Sequence, residues 1–267
     1  MLRLSSLAVL AVCLCPFPAQ ALELKNIRPS YGPFGATRLE TKCVPGDFLF
    51  ITYDIEGLRI NNKTFRANYT TTLELFDSTN TVAFEKKYTN DVALPLGGTR
   101  MPGDLHVILP PNQKPGKHKI RLTVKDLLAN DTKSFEYPFE VIAPTFSFVG
   151  VSAKGVGLTG ESYLATFALV GITLDAKNQP SVDIVMRILD DKGKNQVSMP
   201  LLSSLPKDLP EDTDLKKENF VPMQFPIFLN RAGSFTLEVR AHDKLTKREI
   251  QLRFPLTVLD TASVAGK

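Results

Sequence analysis

Tryptophan is absent from this chain, and cysteine and histidine each occur three times. Two of the cysteines, Cys13 and Cys15, lie in an apolar N-terminal stretch, which leaves Cys43 alone in the remainder. A single thiol closes no internal disulfide, so each folded unit must be held by its apolar core. The histidines, His106, His118 and His242, are scattered, and no His-Glu-x-x-His, Cys-x-x-Cys or Gly-rich phosphate loop occurs. Serine and acidic residues are plentiful but lack a base beside any nucleophile pattern. The expectation is a protein that is not an enzyme and takes no cofactor. A copper site is disfavoured too, because its ligands cluster late around one cysteine, whereas Cys43 is early and isolated. A large excess of charge of one sign is also lacking. A formal net charge of +4 is too mild to imply nucleic acid. No apolar run reaches the roughly 18 residues of a transmembrane span.

What is present begins at the N-terminus. "MLRLSSLAVLAVCLCPFPAQALE" has a cation at Arg3, an apolar run from Leu7 to Leu14, a break at Pro16 and Pro18, and then Ala19-Gln20-Ala21. This is the layout of a secretory signal peptide over residues 1–21, cleaved after Ala21, and it predicts an exported protein: periplasmic, cell-surface or secreted. A lipid anchor at Cys13 or Cys15 is the competing reading, but Val12 and Leu14 before them are not small.

The remainder is a duplication. "GKHKIRLTVKDLLANDTKSFEYPFEVI" lies over "GSFTLEVRAHDKLTKREIQLRFPLTVL" without a gap at a constant offset of 117, matching Gly116 to Gly233, Asp126 to Asp243, Pro138 to Pro255 and Val141 to Val258. "GDFLFITYDIEGL" (46–58) likewise lies over "GESYLATFALVGI" (160–172), and a third block from Tyr69 to Asp77 over Val182 to Asp190. Two homologous domains follow, 22–143 and 145–260, with a disordered tail at 261–267. Apolar residues alternate with polar ones throughout, as on half-buried strands. The first half offers strands near 22–27, 48–55, 69–77, 81–87, 105–110, 117–125 and 133–142. The one short helical turn is expected in "KDLPEDTDLKKEN", within a long irregular segment from Pro200 to Pro222.

About seven antiparallel strands in roughly 115 residues describe a two-sheet sandwich. In "PGKHKIRLTVKD" and "AGSFTLEVRAHD" the chain resembles the immunoglobulin-like and fibronectin-III-like modules of exported bacterial proteins. The resemblance implies an all-β fold of two tandem antiparallel sandwiches. The antibody-type Cys, Trp, Cys signature is missing. Pro138 and Pro255 predict that the last strand of each domain is an edge or is interrupted there, since proline cannot donate to a ladder.

Candidate functional residues are few. Lys117, Lys119, Arg121 and Lys125 form a basic row along one strand face, a candidate for an anionic ligand; its repeat partner carries Ser234, Thr236, Glu238 and His242 instead. The alternative is the wet side of a strand. Cys43 is a candidate intermolecular thiol, against the alternative of a quiet, semi-buried one. His118 replaces Phe235 of the repeat and is expected at the core or rim. "DDKGK" and "ANDTK" read as turns rather than calcium loops. Three Asn-x-Thr sequons, at Asn62, Asn68 and Asn130, are glycan acceptors only in a eukaryotic secretory route. The expected function is an exported binding, adhesion or spacer protein of the cell envelope, with an unknown protein or envelope polysaccharide as partner. The alternative is a periplasmic chaperone or assembly factor acting by strand addition.

Overall fold

The computed structural model describes residues 21–196, 201–207, 209, 215 and 220–261. Most of the expected signal peptide and tail, and much of the segment between Pro200 and Pro222 with its helical turn, lie outside these residues. The first half forms β1 (Glu23–Tyr31), β2 (Ala36–Thr37), β3 (Lys42–Cys43), β4 (Phe48–Glu56), β5 (Ile60–Asn61), β6 (Arg66–Phe76), β7 (Val82–Ala93), β8 (Met101–Ile108), β9 (Gly116–Asp126) and β10 (Thr132–Val141). The second forms β11 (Ser147–Ser152), β12 (Val156–Leu158), β13 (Ser162–Val170), β14 (Val182–Asp190), β15 (Leu201–Leu205), β16 (Phe220–Phe228), β17 (Gly233–Asp243) and β18 (Arg248–Leu259). The molecule is all-β and consistent with the β-sandwich class.

In the first half one sheet runs β2-β1-β4-β8, and the other runs β3-β10-β9-β6-β5 with β7 on the far side of β6. The second half repeats this order as β11-β13-β16 and β12-β18-β17-β14-β15. Alternation builds the core between facing sheets. Leu49, Ile51, Tyr53 and Ile55 of β4 are buried in one cluster with Ile120, Leu122 and Val124 of β9. In the second half Tyr163, Ala165, Phe167 and Leu169 of β13 meet Leu237, Val239 and Ala241 of β17. Each fully buried Leu or Ile contributes about 1.5–3 kcal/mol.

The duplication extends to registry. Gly116 stands opposite Val141, and Gly233 opposite Val258. The first strand of each half bulges against the second at a left-handed residue, Asn26 at φ 52° and Gly150 at φ 59°. Asp126 and Asp243, which end β9 and β17, are fully buried. Asp126 Oδ1 accepts from the Leu128 and Ala129 amides and Oδ2 from the Arg59 amide. Asp243 repeats this with Leu245, Thr246 and Thr173, and adds the Arg248 guanidinium at 3.0 Å. The matched aspartates therefore close the turn and tie it to a loop of the other sheet.

All seven strands expected in the first half are present, though β7 continues to Ala93 and β8 begins at Met101. One expectation is corrected: the segment from Pro200 is not wholly irregular, because Leu201–Leu205 pairs with β14 and Phe220 already begins β16. The prolines sit as expected. The outer side of β10 is paired only at Glu140 and Val141, with β3, and that of β18 only from Thr257, with β12. Pro138 and Pro255 both precede those short parallel stretches, on the open edge.

The two halves also clasp each other. Tyr31 and Ala36, from the β1–β2 hairpin, are buried in the core cluster of the second half, with the Tyr31 ring 6.0 Å from Phe254. The Ala36 amide donates to Ala153 O at 2.8 Å and the Ala153 amide to Tyr31 O at 3.0 Å. Gly35 lies so close that a Cβ there would meet Tyr31 O at 1.9 Å and Ala153 O at 2.8 Å. Beneath, Arg38 pairs with Asp47 at 2.7 Å, both almost fully buried, and Asp47 Oδ1 accepts the Gly150 amide at 3.1 Å.

Candidate functional site

Lys117, Lys119, Arg121 and Lys125 alternate with the core residues of β9 and so share the outer face of its sheet. That face is not a free cationic strip. Phe76 of β6 is its floor, with Lys119 Nζ and the Arg121 guanidinium each 4.7 Å from the ring centroid. Arg121 pairs with Glu136 of β10 at 2.7 Å and Glu74 of β6 at 3.5 Å, and Lys119 reaches Glu136 at 3.1 Å. Hydrogen bonds from Arg121 and Lys119 hold the Glu136 carboxyl below its ordinary range. Lys117 stands opposite Glu140, and Lys125 opposite Thr132 and Thr70. The wet-strand reading therefore accounts for Lys119 and Arg121.

The same place in the second half carries the opposite charges. Glu238 of β17, the repeat partner of Arg121, lies between Arg187 of β14 and Arg253 of β18. Those are the repeat positions of Glu74 and Glu136. A Glu-Arg-Glu row across three strands has become Arg-Glu-Arg in identical register. Glu238 is 1% exposed; it accepts from Arg253 Nε at 2.8 Å and Gln251 Nε2 at 2.7 Å, with Arg240 at 2.9 Å. Burial pushes its carboxyl up, and the Arg253 and Arg240 contacts outweigh that and hold it low. Comparing the third repeat block with the first would have exposed this reversal from sequence.

Cys43, the candidate intermolecular thiol, lies inside the first half. It is 2% exposed within β3, its side chain in the core cluster, and burial pushes its thiol up to about 11. That placement favours the quiet, semi-buried thiol over a link to a second chain. His118 is 5% exposed and stacked on Phe139 at 5.5 Å, with Nε2 3.2 Å from Lys114 O, at the core as expected. His106 and His242 are exposed. In "DDKGK", Asp190 accepts from the Lys192 and Lys194 amides, which makes it a turn. Asn62 and Asn130 are exposed and Asn68 is half-buried.

Two cavities stand out among the described residues. One of about 590 Å³ opens between β16, β17 and β18, lined by Ile227, Phe228, Leu229, Phe235 and Leu256, with Arg231 over Phe235 at 5.2 Å. The other, about 200 Å³, lies at the clasp beside Tyr31, Arg38 and Phe148. Among the described residues no three His, Cys, Asp or Glu side chains gather in a metal-holding group, and no helix is long and apolar enough to cross a membrane. Compared with known proteins, the chain matches no protein-family model and no curated sequence.

Proposed function

We propose that the chain is an exported, non-catalytic pair of tandem immunoglobulin-like or fibronectin-III-like β-sandwich domains, released from a signal peptide at residues 1–21, that binds or spaces partners at the cell envelope. The observation that carries this reading is the clasp. Tyr31 and Ala36 of one half are built into the core of the other, so the pair presents its surfaces at a fixed angle, as a spacer or adhesive scaffold requires. The sandwich family is supported by the strand order, in which the first strand joins the second and fifth long strands while the last two join the third, in both halves. The partner is an envelope protein or polysaccharide and not nucleic acid. Fractionation of producing cells, followed by glycan and protein arrays, tests the proposal. Recovery with the envelope and a saturable partner is expected; turnover of a small molecule with no partner above background would sink it.

One observation favours the strand-adding assembly factor as a second reading. Strand β7 is a long, proline-free open edge, which strand addition needs.

A further inference from the structure

Natural sheets blunt their open edges, often with proline. Here β1, β8, β10, β16 and β18 each have an outer side wholly or partly unpaired, and carry Pro29, Pro102, Pro138, Pro222 with Pro226, and Pro255. Among the described residues, β7 is the long exception: twelve residues, "VAFEKKYTNDVA", hydrogen-bonded to β6 on one side only and without proline. It also overhangs the core. Phe84 and Tyr88 fall on the inward-facing side, opposite Leu75 and Thr71, yet each is 46% exposed, and Val82 is 43% exposed. On the outer side Glu85 stands directly opposite Glu74, a like-charge pair within the sheet, and Lys87 stands opposite Thr72.

We propose that β7 is a self-association edge, and that its occupant is β7 of a second copy, antiparallel about a two-fold axis through Lys86. The sequence is self-complementary in that register. A two-fold normal to the sheet keeps faces together, so residues pair when their numbers are symmetric about 86. Glu85 of each copy then meets Lys87 of the other on the outer face, twice over. On the inner face Phe84 meets Tyr88, also twice, covering the overhanging rings. The second copy's Lys87 supplies the cation that Glu85 lacks opposite Glu74. The like-charged Lys86 pair falls on the axis, where each ammonium already lies over its own Tyr88 ring at 5.0 Å. The two larger sheets become one continuous sheet.

Sedimentation of the full chain and its variants tests this. The wild type is expected to dimerise reversibly. Glu85→Lys sets lysine against lysine and should weaken dimerisation about tenfold or more, as like-charge juxtaposition does. The exchange Glu85→Lys with Lys87→Glu re-forms both pairs and should restore the affinity. Lys86→Cys should cross-link to itself on mild oxidation, and Lys86→Thr should strengthen the dimer. Melting of dilute monomer separates association from folding, because Glu85→Lys relieves the Glu74 clash and should not lower it. A chain that stays monomeric, a dimer indifferent to Glu85→Lys, failure of the exchange to restore it, or a different protein's strand on β7 would each overturn the proposal.

Discussion

Asp126 and Asp243 hold their turns through a geometry that only a short carboxylate supplies: one oxygen for two amides of the turn, the other for an amide of the loop that follows β4 or β13. Replacing Asp243 with Ala leaves those donors unpaired and Arg248 without its anion, at a cost of about 2–4 kcal/mol in urea unfolding. Burial alone would raise the Asp243 carboxyl, yet the Thr246, Arg248 and Thr173 donors hold it at about 2, below its ordinary 3.8. Because the folded value is the lower one, this stabilisation is complete above the unfolded pKa and fades as pH falls through about 2. Acid titration of stability should show that loss in the wild type and not in Asp243→Asn. Cys43, pushed up to about 11 and buried, should resist a thiol reagent at neutral pH until denaturant is added.

At the scale of strands, the charge-reversed rows show that β6, β9 and β10, and likewise β14, β17 and β18, accommodate a cross-strand ionic row of either sign. Arg121→Glu alone sets three carboxylates side by side and should lower stability by about 1–2 kcal/mol, a loss that added salt reduces. Reversing all three, Glu74→Arg, Arg121→Glu and Glu136→Arg, should return stability to within about 1 kcal/mol of wild type. Thermal melts of the single and triple variants decide this. The alternation that buries Ile120 and Leu237 was legible from period two, and the prolines named their edges. The pairing of Arg121 with Glu74 was not, because the two are distant in sequence and meet only through the ladder, whereas Glu136, which reaches both Lys119 and Arg121, lies just across the β9–β10 turn. Strand β7 was foreseen but shortened, since its residues beyond Lys87 lack apolar alternation and are held by pairing with β6.

For the whole molecule, the clasp couples two cores that the linker Ala143-Pro144-Thr145 alone would leave independent. Gly35→Ala forces a methyl into Tyr31 O and Ala153 O. It should split one calorimetric transition into two and broaden the distribution of shapes in small-angle scattering; a single unchanged transition would mean that the clasp does not couple the halves. The sequence by itself determined the duplication, the strands, the core-facing residues and the turn aspartates, because period-two burial and turn chemistry are local and were written twice. Only the tertiary structure decided that Tyr31 and Ala36 serve the second core, that Arg38 and Asp47 pair beneath them, that Cys43 is sealed, and that β7 is left open. Each of these depends on which surfaces meet after the chain has turned back on itself, and no local pattern encodes that meeting.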